Sequence, residues 1–191
     1  MAASIDATQS THARRAAPLA HDTHGDGAPA LLIHGLGGER GGWKPVLAPL
    51  ARHARCWAID LPGFGDSPPL PPGTEPGPRQ LADAVERFVA EQRLPRPLPV
   101  VGHSLGGWVA LELARRGLAS LVTALAPGGF WNEIERRYTS VVLRTCARLA
   151  RRLEPHAPAL LRRRALRAAL LAPMMARAAH MPPEDAIAAV R

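Results

Sequence analysis

Lysine is almost missing from this chain of 191 residues: Lys44 is the single one, and the other basic residues are arginines. With 24 basic and 16 acidic residues the net charge is +8. The arginine skew, alongside abundant Ala and Pro, reads as a coding bias. A positive charge of this size permits weak polyanion binding and specifies no partner. Cysteine is scarce too. Cys56 and Cys146 cannot make a disulfide framework, which favours a reducing compartment. Aromatics make up only 4%, so Leu, Val and Ala must fill the core. Long apolar runs are lacking. The longest uncharged stretch, 117–132, contains Pro127, Gly128 and Gly129 and is too short and broken to span a bilayer. The first 15 residues carry no apolar stretch like that of a signal peptide. No Cys/His cluster has metal-ligand spacing, and neither a phosphate-binding nor a dinucleotide fingerprint is present. These absences predict a cytoplasmic protein with no membrane span, no metal, no cofactor and no nucleic-acid partner.

What is present is a globular pattern, with 47% apolar and 21% charged residues. Residues 1–27 are polar, small and aperiodic, and are expected to form a flexible lead-in, at most with a weak hairpin. Short apolar runs at 30–33, 55–59 and 98–101 predict buried strands, and 118–126 predicts a fourth strand whose far side would be an exposed apolar edge prone to aggregation. Helical spacing at 43–52, 80–93 and 105–116 separates them. Strands alternating with helices imply a parallel sheet covered on both faces, an α/β fold. Beyond Phe130 the alternation stops. Arginine-rich amphipathic helices are expected over 132–153 and 159–172, with a last short one after Pro183. The expected organisation is a lead-in at 1–27, a core at 28–130 and a helical cap at 131–191.

The sharpest motif is Gly102-His-Ser-Leu-Gly106, placed after one predicted strand and opening the next helix. A serine presented there sits on a very tight turn with strained dihedrals. Side chains two positions either way would collide, and Gly102 and Gly106 remove them. The helix N-terminus then aims free N–H groups at the site, and the Leu105 amide can help hold an oxyanion. A second motif, His34-Gly35-Leu36-Gly37-Gly38, directly follows the first apolar run. It reads either as a flexible turn with a structural histidine or as a loop offering the Leu36 amide as second oxyanion donor, with His34 fixing it. Beside the elbow, the latter reading is preferred. Trp43, Trp108, Trp131 and Phe64 are either pocket-lining or core residues.

Together His34-Gly35, Asp60-Leu-Pro-Gly-Phe-Gly-Asp-Ser67 and Gly102-His-Ser-Leu-Gly-Gly107 resemble the α/β-hydrolase family in order and approximate spacing. The resemblance covers about 28–130. It implies an α/β-hydrolase fold, incomplete at the C-terminus, with a cap inserted after the family's sixth strand. It implies Ser104 as nucleophile and the Leu36 and Leu105 amides as the oxyanion hole. His34, Gly35, Gly102, His103 and Gly106 would support the loop and elbow. Asp60 and Asp66 would shape the pocket, and neither would be the triad acid. Serine at the elbow argues against the epoxide hydrolase and haloalkane dehalogenase branches, which place Asp there. The implied activity is cofactor-free cleavage of an ester or related acyl bond in a small-molecule substrate.

A serine needs a base, and that base needs a carboxylate to orient it. In this family both follow the serine, on strands beyond the cap. No strand pattern follows Ala126, and two further units would take ~60 residues. His156 and His180 lie in arginine-rich helical context, and Glu133 is the only acidic residue near a family-like position. The triad acid and base are therefore left unassigned. The expectation is a hydrolase piece whose remainder lies in a longer reading frame or on a partner chain. Two alternatives stand beside it. One is a non-catalytic remnant acting as a binding module. The other is a polyanion binder using Arg151, Arg152, Arg162 to Arg164 and Arg167.

Overall fold

The computed structural model describes residues 17–172 and 177–188. Among them, five strands form one sheet in the order β1-β3-β2-β4-β5. The strands are β1 (His21–His24), β2 (Pro29–Ile33), β3 (Arg55–Ile59), β4 (Leu98–His103) and β5 (Ala119–Leu125). β3, β2, β4 and β5 run parallel, and β1 alone is antiparallel, against β3.

The apolar alternation explains how the sheet is covered. Leu31 and Ile33 of β2, Trp57 and Ile59 of β3, and Leu98 and Val100 of β4 face one side. There they meet α2 (Pro78–Glu91) through Leu81, Val85 and Phe88, and α3 (Leu105–Arg115) through Val109 and Leu113. Leu32, Cys56 and Ala58 face the other side and pack under Trp43 and Leu47. Trp43 ends a 3-10 turn over Arg40–Trp43, and Leu47 belongs to α1 (Lys44–Ala51). β2, β3 and β4 are thus covered on both faces, as continuous apolar strands require, whereas β5 has no buried residue. Burial pushes the Cys56 thiol pKa up, so this cysteine is inert packing. Arg116 locks α3 to α2, reaching Asp83 at 2.6 Å, Glu86 at 3.2 Å and Glu112 at 3.0 Å.

Three expectations are corrected. β1 lies inside the stretch read as a flexible lead-in, and it pairs with β3 rather than forming a hairpin with β2. Its sequence, His-Asp-Thr-His, has no apolar signal. It is held by the ladder and by the His21 ring, which stacks on Trp57 at 5.2 Å and meets Phe88 edge-on at 5.1 Å. Residues 1–16 of the lead-in lie outside the described residues. Second, the helix expected over 159–172 is two helices, α5 (Ala157–Leu161) and α6 (Arg164–Leu171). Third, Arg167 is not an exposed member of an arginine patch; it is 6% exposed. Its guanidinium takes the carbonyls of Leu161 at 2.6 Å, Ala178 at 3.3 Å and Ala179 at 3.2 Å. Those bonds satisfy the end of α5 and explain a break that has neither Pro nor Gly. Arg162, Arg163 and Arg164 are exposed.

α4 (Glu133–Leu153) follows β5 and opens with a capping box, Asn132 with Glu135. None of its residues is buried. α5, α6 and α7 (Pro183–Ala188) gather around a small cluster of Ala157, Leu161, Leu171, Ala178 and Ala186. Among the described residues, no helix is long and apolar enough to cross a membrane.

Candidate active site

β4 runs straight into α3, and Ser104 is the single residue between them. Its backbone has φ 50° and ψ −112°, a conformation that costs an L-residue strain. Three bonds hold it there. The Ser104 N–H donates to the Leu125 carbonyl at 2.9 Å, and its own carbonyl accepts from Trp108 and Gly128, both at 3.1 Å. The turn leaves no room for side chains. A Cβ on Gly102 would lie 2.2 Å from the Gly106 carbonyl oxygen, and one on Gly106 would lie 2.2 Å from that of Ile33.

The loop after β2 rests directly on this turn. A Cβ on Gly35 would lie 2.9 Å from His103 Nδ1 and 3.0 Å from Ser104 Cβ. His34 is buried, at 4% exposure, and anchors the loop. Its Nε2 accepts the Leu61 N–H at 2.9 Å, so Nδ1 carries the proton and donates to the Gly35 carbonyl at 2.7 Å. Desolvation holds its pKa below the ordinary imidazole value, so the ring stays neutral in this tautomer. Phe64 stands edge-on to that ring at 5.4 Å. Gly38 N–H closes the turn on the Gly35 carbonyl at 3.0 Å. The Leu36 and Leu105 N–H groups, by contrast, make no hydrogen bond to another described residue. Leu36 is 46% exposed.

Asp60 is fully buried and belongs to the loop after β3. Its carboxylate accepts the Arg40 N–H at 2.6 Å, the Asp66 N–H at 3.0 Å and a bond from the Arg40 guanidinium. Arg40 also reaches Asp66 at 2.7 Å and Asp22 at 3.3 Å. Gly65 has φ +50° and wraps the carboxylate so closely that a Cβ would overlap it. The Asp60 carbonyl accepts from Ser67, whose oxygen accepts the Ala20 N–H.

Sequence reasoning brought Ser104, His34, Gly35, His103 and the elbow glycines together, and the structure places them side by side. It missed Arg40, whose partners are far away in the chain, and the 125–128 carbonyl and amide groups that pin the elbow. Of the tryptophans, Trp43 is core under α1. Trp108 and Trp131 are each 40% exposed and flank Gly128, close to the Ser104 carbonyl. Glu133 is exposed and paired with Arg137 at 2.6 Å. His156 and His180 are exposed, and among the described residues no side chain hydrogen-bonds the Ser104 hydroxyl. No group of three His, Cys, Asp or Glu among the described residues could hold a metal ion.

Known proteins are similar to this chain. A dihydrolipoyllysine-residue acetyltransferase component of the acetoin cleaving system from Cupriavidus necator is 41% identical over 120 residues, 60% of this chain and 31% of that one. A pimeloyl-[acyl-carrier protein] methyl ester esterase from Methylococcus capsulatus is 42% identical over 97 residues, 49% of this chain and 34% of that one. The chain therefore spans about a third of the length of these curated relatives. Among solved structures, the N-acyl homoserine lactonase AidH complexed with N-butanoyl homoserine is similar, with a TM-score of 0.52 and 28% identity over 57% of this chain and 41% of that one. The model of the alpha/beta hydrolase family matches residues 30–191, most of the sequence, and the strained serine between β4 and α3 falls inside that match. By fold, motif and family match alike, this chain belongs to the alpha/beta hydrolase family.

Proposed function

We propose that the chain carries the nucleophile and oxyanion hole of a serine hydrolase that cleaves an ester or related acyl bond. The observation that carries this reading is Ser104 held at φ 50° on a strand-to-helix turn, with the Gly35 loop against it. The Ser104 Oγ attacks the acyl carbonyl carbon as its proton passes to a base. The carbonyl oxygen becomes an oxyanion received by the Leu36 and Leu105 amides, which bond no other described residue. Collapse breaks the bond to the alcohol, which leaves with that proton, and water then releases the acid from the serine. Relatives named methyl ester esterase and N-acyl homoserine lactonase support an ester-like substrate.

A second reading, a non-catalytic binding module, is favoured by one observation. No imidazole among the described residues reaches the Ser104 hydroxyl, so the base has to come from elsewhere. A fluorophosphonate probe separates the two readings. Labelling of the 191-residue chain that disappears in Ser104→Ala supports the hydrolase. Folded protein that stays unlabelled supports the binding module.

A further inference from the structure

Arg40 does more than balance a buried charge. It sits at the far end of the segment that begins at His34, and both ends of that segment are fastened to the same neighbouring loop. At the near end His34 Nε2 takes the Leu61 N–H. At the far end the Arg40 backbone and guanidinium both bond the Asp60 carboxylate, while Nη2 bonds Asp66. Between the two fastenings lies 35–39, with a short turn closed by Gly38 on Gly35 and a Leu36 N–H that bonds no other described residue. Gly37 has φ +71° and open space around it, so the span has little stiffness of its own. The Gly38-to-Gly35 bond shapes the turn, and the two ends set where that turn sits.

We propose that Arg40 is a positioning residue for the Leu36 amide: the Arg40–Asp60–Asp66 bonds and the His34–Leu61 bond clamp the 35–39 span from both sides over Ser104. The link to catalysis rests on the serine hydrolase reading; the clamp itself does not. A guanidinium is needed because its fork serves two carboxylates at once, with Asp22 on a third edge. An ammonium is a point charge and cannot span them.

The test uses the full chain with Arg40→Gln and Arg40→Lys, and Arg137→Gln as a control that removes an arginine from a surface ion pair. Amide hydrogen exchange is followed residue by residue, with the rate of Ser104 labelling by fluorophosphonate beside it. Arg40→Gln is expected to speed exchange at the hydrogen-bonded amides of Gly38 and Asp66 at least tenfold while β2 and β4 keep their protection, and to slow labelling in step. Arg40→Lys recovers less than half of either effect, and Arg137→Gln changes neither. Unchanged exchange at Gly38 and Asp66, or a rise spread evenly over the sheet, overturns the clamp. Full rescue by lysine overturns it as well, since charge alone then suffices. A loosened loop with undiminished labelling overturns the positioning role. Should the parent chain show no Ser104-dependent labelling, the hydrolase reading falls, and the exchange pattern still decides the clamp.

Discussion

Gly35 and Ser104 touch: a Cβ on the glycine would stand 3.0 Å from the Cβ of the serine. Two loops from different strands therefore share one surface, and any side chain at 35 pushes on the nucleophile. Gly35→Ala is expected to cut the rate of Ser104 phosphonylation by about ten- to a hundredfold, as displacements near 1 Å do. The midpoint of thermal unfolding, measured on the same samples, should fall less than for the elbow glycines: His103 Nδ1 can rotate away, and Ser104 Cβ at 3.0 Å and the His103 carbonyl at 3.3 Å need shifts of only a few tenths of an ångström.

The elbow glycines answer to stability instead. Cβ atoms at 102 and 106 would meet backbone carbonyls at 2.2 Å, and backbone cannot rotate away. Gly102→Ala and Gly106→Ala should each cost about 3 kcal/mol or more. Gly42→Ala, with nothing within 4 Å of its Cβ, should stay within about 0.5 kcal/mol. Urea unfolding curves rank the three. Equal midpoints for all would contradict a tight turn.

His34 makes folding sensitive to acid. Burial lowers its pKa from the ordinary value of 6.5, so above that pH the ring is neutral both folded and unfolded. Below it the unfolded chain takes up a proton that the folded chain resists. Stability therefore falls as the pH drops from about 6.5 toward the folded value, by at most about 1.4 kcal/mol per unit. His34→Gln should flatten this slope between pH 6.5 and 5. An identical slope in the variant would assign it to other histidines.

Arg167 holds the small cluster of α5, α6 and α7 together by taking carbonyls from two helix ends. Arg167→Ala orphans those carbonyls in a buried place. It should cost that cluster about 2–4 kcal/mol. Limited proteolysis reads this as new cleavage within 157–188, with 29–125 still resistant. Cleavage appearing first in the sheet would mean that the arginine supports the core instead.

β5 leaves apolar surface in the open. Thr123 pairs with Val101, which packs beneath α1, so Leu121 and Leu125 face the same side; they are 65% and 44% exposed. An exposed apolar patch promotes association between molecules. Leu121→Glu should raise the concentration at which light scattering begins, while changing stability by no more than about 0.5 kcal/mol. Unchanged scattering would place the aggregating surface elsewhere.

The buried parallel strands were legible because burial on both faces demands unbroken apolar runs such as Ala30-Leu-Leu-Ile33. The elbow was legible because strain at one residue dictates glycine two positions away. β1 was not, since a half-exposed edge strand has no apolar pattern to show. The Arg40–Asp60 pairing joins residues from separate loops and leaves no local trace. Arg167 looked like its neighbours in the run, because a buried guanidinium satisfied by carbonyls needs no acidic partner nearby in the chain. The split between α5 and α6 was hidden for the same reason: the group that ends α5 comes from a side chain in α6.

Helix α4 buries none of its residues, and that has a calorimetric consequence. The heat-capacity increment of unfolding comes from apolar surface newly wetted, and this helix has little left to wet. It melts as a peptide does, fraying gradually from its ends. Far-UV ellipticity should therefore drift well before the heat-absorption peak, which reports the sheet and its two packed faces. The van't Hoff enthalpy drawn from the optical curve will then fall short of the calorimetric one, although the sheet itself unfolds in a single step.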